Sequence, residues 1–388
     1  MKVLYINDEL ATADGSNYHA LGIFQNLTKL LGKENVRSYP AAVDGSATTT
    51  SHSSLSFRKK HKYLLQLLRL VRKTILSHTR ARKLIKELKA DSFTPTHVLA
   101  RSVLFDTTAL LVAKHFSAKL VYEVNTPMYY EHCVMNGLPL KKAVEHWERR
   151  IIETSHGVYV VSTVCRDMLC EHYGLSPEKF MVIPNGYMEE LYPAGEEERK
   201  RIRSRLRREE HLTDKFLVTF IGSLKTWHGI DRLCEIARLL EEHPQIHFLV
   251  AGDGNEHALI EEYCANHTNM TYKGKLSLRD MADCLLASDL GIMPYHPMEN
   301  FYFSPLKMYD MIGSGLPFLG TSQGQIQEIC ETELGSEFLL KNPAMQIIFL
   351  SKNKEHLTIM KEKLFAAQPH VTWEARTAQL IQYLKSHL

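Results

Sequence analysis

The chain has 388 residues, 44% hydrophobic and 23% charged, with a net charge of only +3, which is the make-up of a soluble globular protein and too long for one ordinary core. No run of eighteen or more apolar residues occurs, and the opening Met1-Lys-Val-Leu-Tyr-Ile6 passes at once into Asn7-Asp-Glu9, so the start reads as a strand, without a signal peptide or a membrane span. The seven cysteines are scattered, odd in number and without a Cys-x-x-Cys pair, which predicts a reduced, cytoplasmic chain without structural zinc.

Val3–Ile6 is a short apolar run of the kind that forms a buried parallel strand. Gly15-Ser16 follows in a loop, and Leu21, Phe24, Leu27 and Leu31 then recur at helical spacing. Strand, glycine-bearing loop and helix open a Rossmann-like unit, although the G-x-G-x-x-G dinucleotide pattern is absent. Residues 41–57, rich in Ala, Ser and Thr, read as a mobile loop. From Arg58 to Lys89 twelve Lys/Arg accompany the single acid Glu87, and a surplus of +11 in a chain of net +3 leaves about −8 for the remainder. Tyr63, Leu64, Leu67, Leu68, Val71 and Ile75 share one helical face of that segment. The pattern fits docking on anionic lipid head groups, and it equally fits a solvated basic helix packed on its own domain. No aromatic interleaving or binding motif accompanies the charge, so nucleic acid is not expected as a partner.

Thr96–Arg101 and Lys119–Asn125 read as two further buried strands separated by a helix. Glu123-Val-Asn-Thr-Pro127 falls at the carboxyl edge, where a parallel sheet presents its ligand-binding residues. Lys141–Thr154 is predicted helical, Gly157–Ser162 and Phe180–Ile183 are strands, Asn185-Gly186 is a tight turn, and the charged run Gly195–Glu210 is an exposed helix. Phe216–Gly222 restarts the strand pattern and leads through Gly222-Ser-Leu-Lys-Thr-Trp-His-Gly229 into another helix, with Trp227 a core anchor of the loop. Ile246–Gly252, Met270–Gly274, Leu290–Pro294 and Leu316–Gly320 repeat the strand unit, and Trp373–Leu384 closes the chain as an amphipathic helix.

Within Phe303-Ser-Pro-Leu-Lys-Met-Tyr-Asp-Met-Ile-Gly-Ser-Gly-Leu-Pro317, Ser304 is a favoured N-cap and Pro305 a favoured first helical residue. The free N–H groups of Leu306 and its neighbours at the positive end of the helix, with the charge of Lys307 in the first turn, make a phosphate site. Asp310, over a turn deeper, can accept hydrogen bonds from sugar hydroxyls. A nucleotide satisfies both ends. A Ser-Pro helix start that binds nothing, with a solvated lysine, is the plainer alternative.

Ser304-Pro-Leu-Lys307 with Asp310 and Gly315-Leu-Pro317 resembles the donor-site helix of the family 4 glycosyltransferases. The resemblance implies an α/β chain of the GT-B fold: two Rossmann-like domains with parallel sheets facing a central cleft, residues 1–190 on the acceptor side and 191–369 binding the nucleotide-sugar, with a C-terminal helix (370–388) crossing back. It implies transfer of a sugar from a UDP-, GDP-, ADP- or dTDP-sugar to a hydroxyl acceptor with retention of anomeric configuration. Lys225, Lys307 and the helix mouth at Ser304 and Leu306 would stabilise the departing diphosphate, so no metal is expected, and no Asp-x-Asp motif occurs. Gly15, Ser16 and Gly222 would let backbone approach the donor. Many members carry His where Asn125 stands; Asn is no acid or base near neutral pH and orients substrate by hydrogen bonds. Ser223 replaces a common Arg and His228 a common Lys, which makes Lys225 the candidate charge. The family often has two carboxylates seven residues apart, and with Asp310 as the second the first falls on Tyr302, which leaves Glu299 as the nearby substitute. A non-hydrolysing nucleotide-sugar epimerase of the same architecture and a non-catalytic sugar-nucleotide-binding protein are the alternatives. Location at the inner face of a membrane, through residues 58–89, is expected if the basic segment binds lipid.

Overall fold

The computed structural model describes residues 1–12, 17–42 and 62–386, with residues 62–71 described in backbone only. Gly15, Ser16, the loop expected over 41–57 from residue 43 onward, and the start of the basic segment lie outside the described residues. The described chain divides into two compact units, residues 1–184 with 376–388 and residues 185–375.

The first unit is built on six parallel strands, β1 (Val3–Ile6), β2 (Val36–Tyr39), β3 (His97–Arg101), β4 (Lys119–Val124), β5 (Gly157–Val160) and β6 (Phe180–Val182), in the order β2-β1-β3-β4-β5-β6. Their apolar runs are almost continuous because helices cover both faces, and β1 and β5 are buried at every position. β1 sits between β2 and β3, Val3 standing opposite Val36 on one side and His97 on the other. The last helix, Trp373–Ser386, has most of its length in this unit. Tyr383 seats it there, its hydroxyl occupying the space where a side chain on Gly157 would stand.

The second unit carries six more parallel strands, β7 (Phe216–Ile221), β8 (Ile246–Ala251), β9 (Met270–Tyr272), β10 (Leu290–Met293), β11 (Phe318–Thr321) and β12 (Leu339–Leu340), in the order β12-β11-β10-β7-β8-β9. Both parallel sheets expected from the strand pattern are present. The short edge strands β2 and β12 were not legible in the sequence, since Val36-Arg-Ser-Tyr39 and the dipeptide Leu339-Leu340 carry too little apolar periodicity to signal a strand.

In each sheet the strand order reverses beside one strand, between β1 and β3 in the first unit and between β7 and β10 in the second. At such a reversal the connections leave in opposite directions and open a crevice at the carboxyl ends of the strands. In the second unit the crevice is shaped by glycines. Gly252 has φ +148, and a Cβ there would stand 1.7 Å from the carbonyl oxygen of Gly222. The loop after β7 therefore lies flat against the loop after β8, fixed by the Leu224 N–H donating to the Asp253 carbonyl at 2.9 Å.

Gly252→Ala is expected to destabilise the second unit by about 2 kcal/mol or more, since it adds backbone strain to a backbone clash. A urea titration reads it as a lower midpoint for that unit's transition, and an unchanged midpoint would show that the two loops part without cost.

Candidate functional site

The helix that carries the Ser-Pro motif runs from Leu306 to Ser314 and ends in Gly315, whose φ of +71 is the left-handed conformation of a C-terminal glycine. Its start differs from the sequence expectation. Pro305 occupies the N-cap position, and no side chain caps the helix. The Ser304 hydroxyl instead accepts the Asn185 N–H at 2.9 Å, while the Asn185 side-chain amide donates to the Ser304 carbonyl at 2.6 Å. Ser304 is thus buried and spent on fixing the preceding loop, and the first turn presents its backbone N–H groups uncapped. Leu306, the first residue of that turn, is half-buried.

Lys307 points inward, only 7% exposed, into the crevice between β7 and β10. Its ammonium lies 3.9 Å from the ring centre of Phe220 on β7 and 5.3 Å from that of Tyr295, just past β10. Among the described residues Nζ has no hydrogen-bond partner. Burial alone lowers its pKa to about 7. The stem of the side chain passes close over Gly222, where a Cβ would come within 3.2 Å of Cε. Two aromatic faces attract the cation but satisfy none of its three donors. An anion is the group that does.

The loop after β7 adds two further basic residues. Lys225 is exposed and stands 4.8 Å over the Trp227 ring. His228 is held by its Nδ1–H to the Ser223 carbonyl, and burial, together with the charges of Lys307 and Lys225, keeps it far below the usual histidine pKa and therefore neutral. Both lysine charges are felt at the His228 ring, so the loop after β7 and the start of the helix lie near one another. Trp227 stacks on Phe303, with ring planes 3° apart, and packs against the core as the loop's anchor.

Asp310 is half-buried and accepts the Tyr192 hydroxyl at 3.0 Å. Glu299 is exposed in the bend after β10, whereas Tyr302 is 2% exposed, its ring tilted against Phe303. The structure therefore sets Gly222 against the Lys307 side chain, leaves Lys225 exposed in the same loop over Trp227, and keeps Asp310 on the Lys307 helix one turn on. Among the described residues no three His, Cys, Asp or Glu side chains converge to hold a metal ion.

In the first unit Asn125 follows β4 and donates its amide to Glu123 at 2.7 Å, which leaves its Oδ1 buried and without a partner among the described residues. Glu123 is fully buried and receives the Tyr159 and Tyr5 hydroxyls at 2.6 and 3.1 Å, with His19 Nε2 at 2.8 Å. Burial by itself would raise its pKa, but His19, Arg101 and Tyr159 outweigh that and hold the carboxyl at about 2. A second buried carboxylate, Glu148, accepts the Met128 and Tyr129 N–H groups at 2.6 and 3.0 Å and so caps the π-helical turn Tyr129–Met135 that leaves Asn125. Neither glutamate was singled out as a site residue by sequence alone, because each takes its meaning from donors more than fifteen positions away in the chain, such as Tyr159 and Met128.

Among known families, Glycosyltransferase Family 4 matches residues 26–190 and Glycosyl transferases group 1 matches residues 215–348. The phosphatidylinositol N-acetylglucosaminyltransferase GPI3 subunit of Saccharomyces cerevisiae is 30% identical over 185 residues, which are 46% of this chain and 38% of the yeast protein, well under half of its length. The fold is that of Anabaena Alr3699/HepE, crystallised with UDP, at TM-score 0.70 and 16% identity over the whole of both chains. It is also that of sucrose-phosphate synthase from Thermosynechococcus elongatus, at TM-score 0.64 and 15% identity over 99% of this chain and 98% of the other. The catalytic domain of starch synthase IV from Arabidopsis thaliana, bound to ADP and acarbose, matches at TM-score 0.68 and 14% identity over 100% and 99%.

The burial of Lys307 has a measurable cost. Its pKa is about 7 in the folded chain against roughly 10.4 when unfolded, so between those values the unfolded state holds the extra proton and stability rises with pH; the penalty is complete below about 7. Lys307→Met removes it. The variant is expected to melt higher than the wild type by the equivalent of about 1–3 kcal/mol at pH 7, and the gain should shrink as pH approaches 10. Equal gains at both pH values, or a loss, would show that the amine is not buried unpaired.

Proposed function

The chain belongs to the family 4 glycosyltransferases, with the GT-B fold, and from that premise we propose that it moves a hexose from a nucleotide-sugar to a hydroxyl acceptor with retention at the anomeric carbon. One observation carries the donor assignment: an ammonium buried without a partner among the described residues, beside an uncapped helix start, at the strand reversal of the second sheet. A diphosphate fits it. In this reading the N–H groups of Leu306 and Lys307 and the Lys307 ammonium bind the phosphates, and Lys225 closes the rim. Gly222 lets the phosphates approach the backbone.

The chemistry asked of the protein is then mainly electrostatic. As the bond from the anomeric carbon to the diphosphate oxygen lengthens, negative charge collects on the leaving phosphate. Lysine and backbone donors already aimed at it stabilise that charge more than they stabilise the bound ground state. Charge neutralisation by these groups replaces a metal in the proposal. Asp310, which accepts the Tyr192 hydroxyl, is assigned in this proposal to the ribose hydroxyls. Asn125 offers the oxygen that its bond to Glu123 leaves unspent, and Gly15 and Ser16 stay in the proposal as the loop that approaches the donor. Glu299, exposed at the same end of β10, remains the stand-in for the absent first carboxylate.

UDP is the nucleotide to test first, because the structural neighbour HepE was crystallised with UDP and with UDP-glucose; GDP, ADP and dTDP complete the panel. The wild type should bind UDP, and Lys307→Met should weaken that binding by about tenfold or more, the worth of a charge-assisted hydrogen bond. Asp310→Asn should weaken UDP and, in step, reduce the preference for UDP over its 2′-deoxy form. Calorimetry decides: if Lys307→Met binds every nucleotide of the panel as the wild type does, the pocket is not the donor site.

The basic segment supports a second part of the proposal, peripheral docking on an anionic membrane at its cytoplasmic face. The helix Lys62–Ala90 is pinned at the carboxyl edge of the first sheet by Ser77, whose hydroxyl lies 2.7 Å from that of Thr107. The residues before it continue for about 22 Å at 1.5 Å per residue. Ile75 and Leu76 are 64% and 50% exposed beside Arg72 and Lys73. Among the described residues no helix is long and apolar enough to cross a membrane. Vesicles with anionic lipid should retain the protein at low salt and release it at high salt. Retention should fall both with Lys59, Lys60 and Lys62 changed to Glu and with Ile75 and Leu76 changed to Ser. Equal retention on neutral vesicles, or none on either, removes the membrane from the picture.

A further inference from the structure

The first sheet has a strand reversal of its own, and it too holds an unsatisfied group. Between the chain leaving β1 and the chain leaving β3 lies a cavity of about 20 Å³, floored by Ile6 and Ala100 and walled by Asp8, Arg80, Asp106 and Tyr122. That is room for one water-sized group and no more. Tyr122, on β4, is 2% exposed, and its phenol oxygen is buried without a hydrogen-bond partner among the described residues. Burial, and then the neighbouring Asp106, push the phenol pKa up, so the group is a permanent O–H. A buried hydroxyl left unbonded is destabilising.

The walls define what completes it. Arg80 spends its guanidinium on both carboxylates, Nη1 reaching Asp8 at 3.1 Å and Asp106 at 3.3 Å, and packs 4.9 Å from the ring centre of Tyr39. Arg101, which also borders the cavity, is paired with Glu9. An anion entering here would have to break those pairs and face Asp8 and Asp106. An apolar group would leave the phenol unbonded. A neutral hydroxyl does neither: its oxygen accepts from Tyr122, and its proton goes to a carboxylate lone pair that Arg80 does not fill. Asp8 is half-exposed, so the cavity opens at the carboxyl edge.

We propose that this cavity is the anchoring subsite for one hydroxyl of a polyhydroxylated acceptor, a sugar or cyclitol ring, held between the Tyr122 phenol and the carboxylates of Asp8 and Asp106. The identification of that ligand as the acceptor rests on the glycosyl-transfer reading above; the subsite itself does not. Tyr122 is a specificity-determining residue in this account, remote from the bond that breaks.

Tyr122→Phe deletes the one atom in question and leaves the ring. Binding of D-glucose, D-mannose and myo-inositol to the full chain is measured by calorimetry with and without saturating UDP, with the melting temperature of each protein as the check on folding. At least one of the three is expected to bind, and the variant to bind it about tenfold more weakly, with UDP affinity unchanged and a melting temperature no lower than the wild type's. Equal affinity in the two proteins overturns the subsite, as does failure of all three rings to bind, or a crystal structure in which a water stays bonded to Tyr122 beside the bound ring. Failure of UDP to bind would instead strike the donor assignment, while the comparison of the two proteins without nucleotide would still decide the subsite.

Discussion

An ammonium group held in an apolar, aromatic crevice, with no counter-ion among the described residues, is the constraint on which the second unit is arranged. Lys307 gives up hydration to sit between Phe220 and Tyr295, and burial brings its pKa down to about 7. A fold optimised only for stability would place a methionine or leucine there. The arrangement is intelligible if the missing interaction is supplied by a ligand, since stability given up in the free protein then returns as binding free energy. The aromatic faces keep the cation in place meanwhile, and the neutral state of His228 avoids a second buried positive charge beside it.

That arrangement depends on backbone. Lys307 can lie along Gly222 only because no Cβ stands there, and Gly222 can lie against Gly252 for the same reason. Ser304 and Asn185 lock the loop that sets where the helix begins, which turns an expected capping residue into a brace and leaves the helix mouth open. Each of these choices sacrifices a little local regularity at the carboxyl edge of the sheet, while the strands beneath remain mostly apolar and buried.

The first unit solves a different problem with buried acids. Glu123 collects hydroxyl and ring donors from β1, β5 and the helix Asn17–Leu31 into one anionic hub, and Asn125 is oriented as a by-product. Glu148, raised to about 7 by burial despite its three donors, ties the turn after Asn125 to the helix Lys141–Thr154 and to Tyr173. Buried charges of this kind contribute little net stability; what they supply is a fixed direction for the groups at the sheet edge, where hydroxyl-bearing ligands are proposed to bind.

Much of this was legible in the chain itself. Apolar runs such as Val3–Ile6 and Ile246–Ala251 announce strands buried on both faces, because only parallel sheets covered by helices tolerate them. The Ser304-Pro-Leu-Lys307 stretch likewise marks a helix start with a nearby charge, since proline and the first-turn residues act through local geometry. Local sequence could not say which way that lysine faces, or that Ser304 would bond to Asn185 more than a hundred positions away. Nor could it reveal that Tyr122 would be left with an unspent hydroxyl while its neighbour Glu123 became the hub of a network. Helix and strand formation is decided over a few residues by backbone sterics and side-chain period. Burial, charge pairing and the unmet hydrogen bond arise only when segments distant in sequence close around the same atom, so the tertiary structure alone decided them.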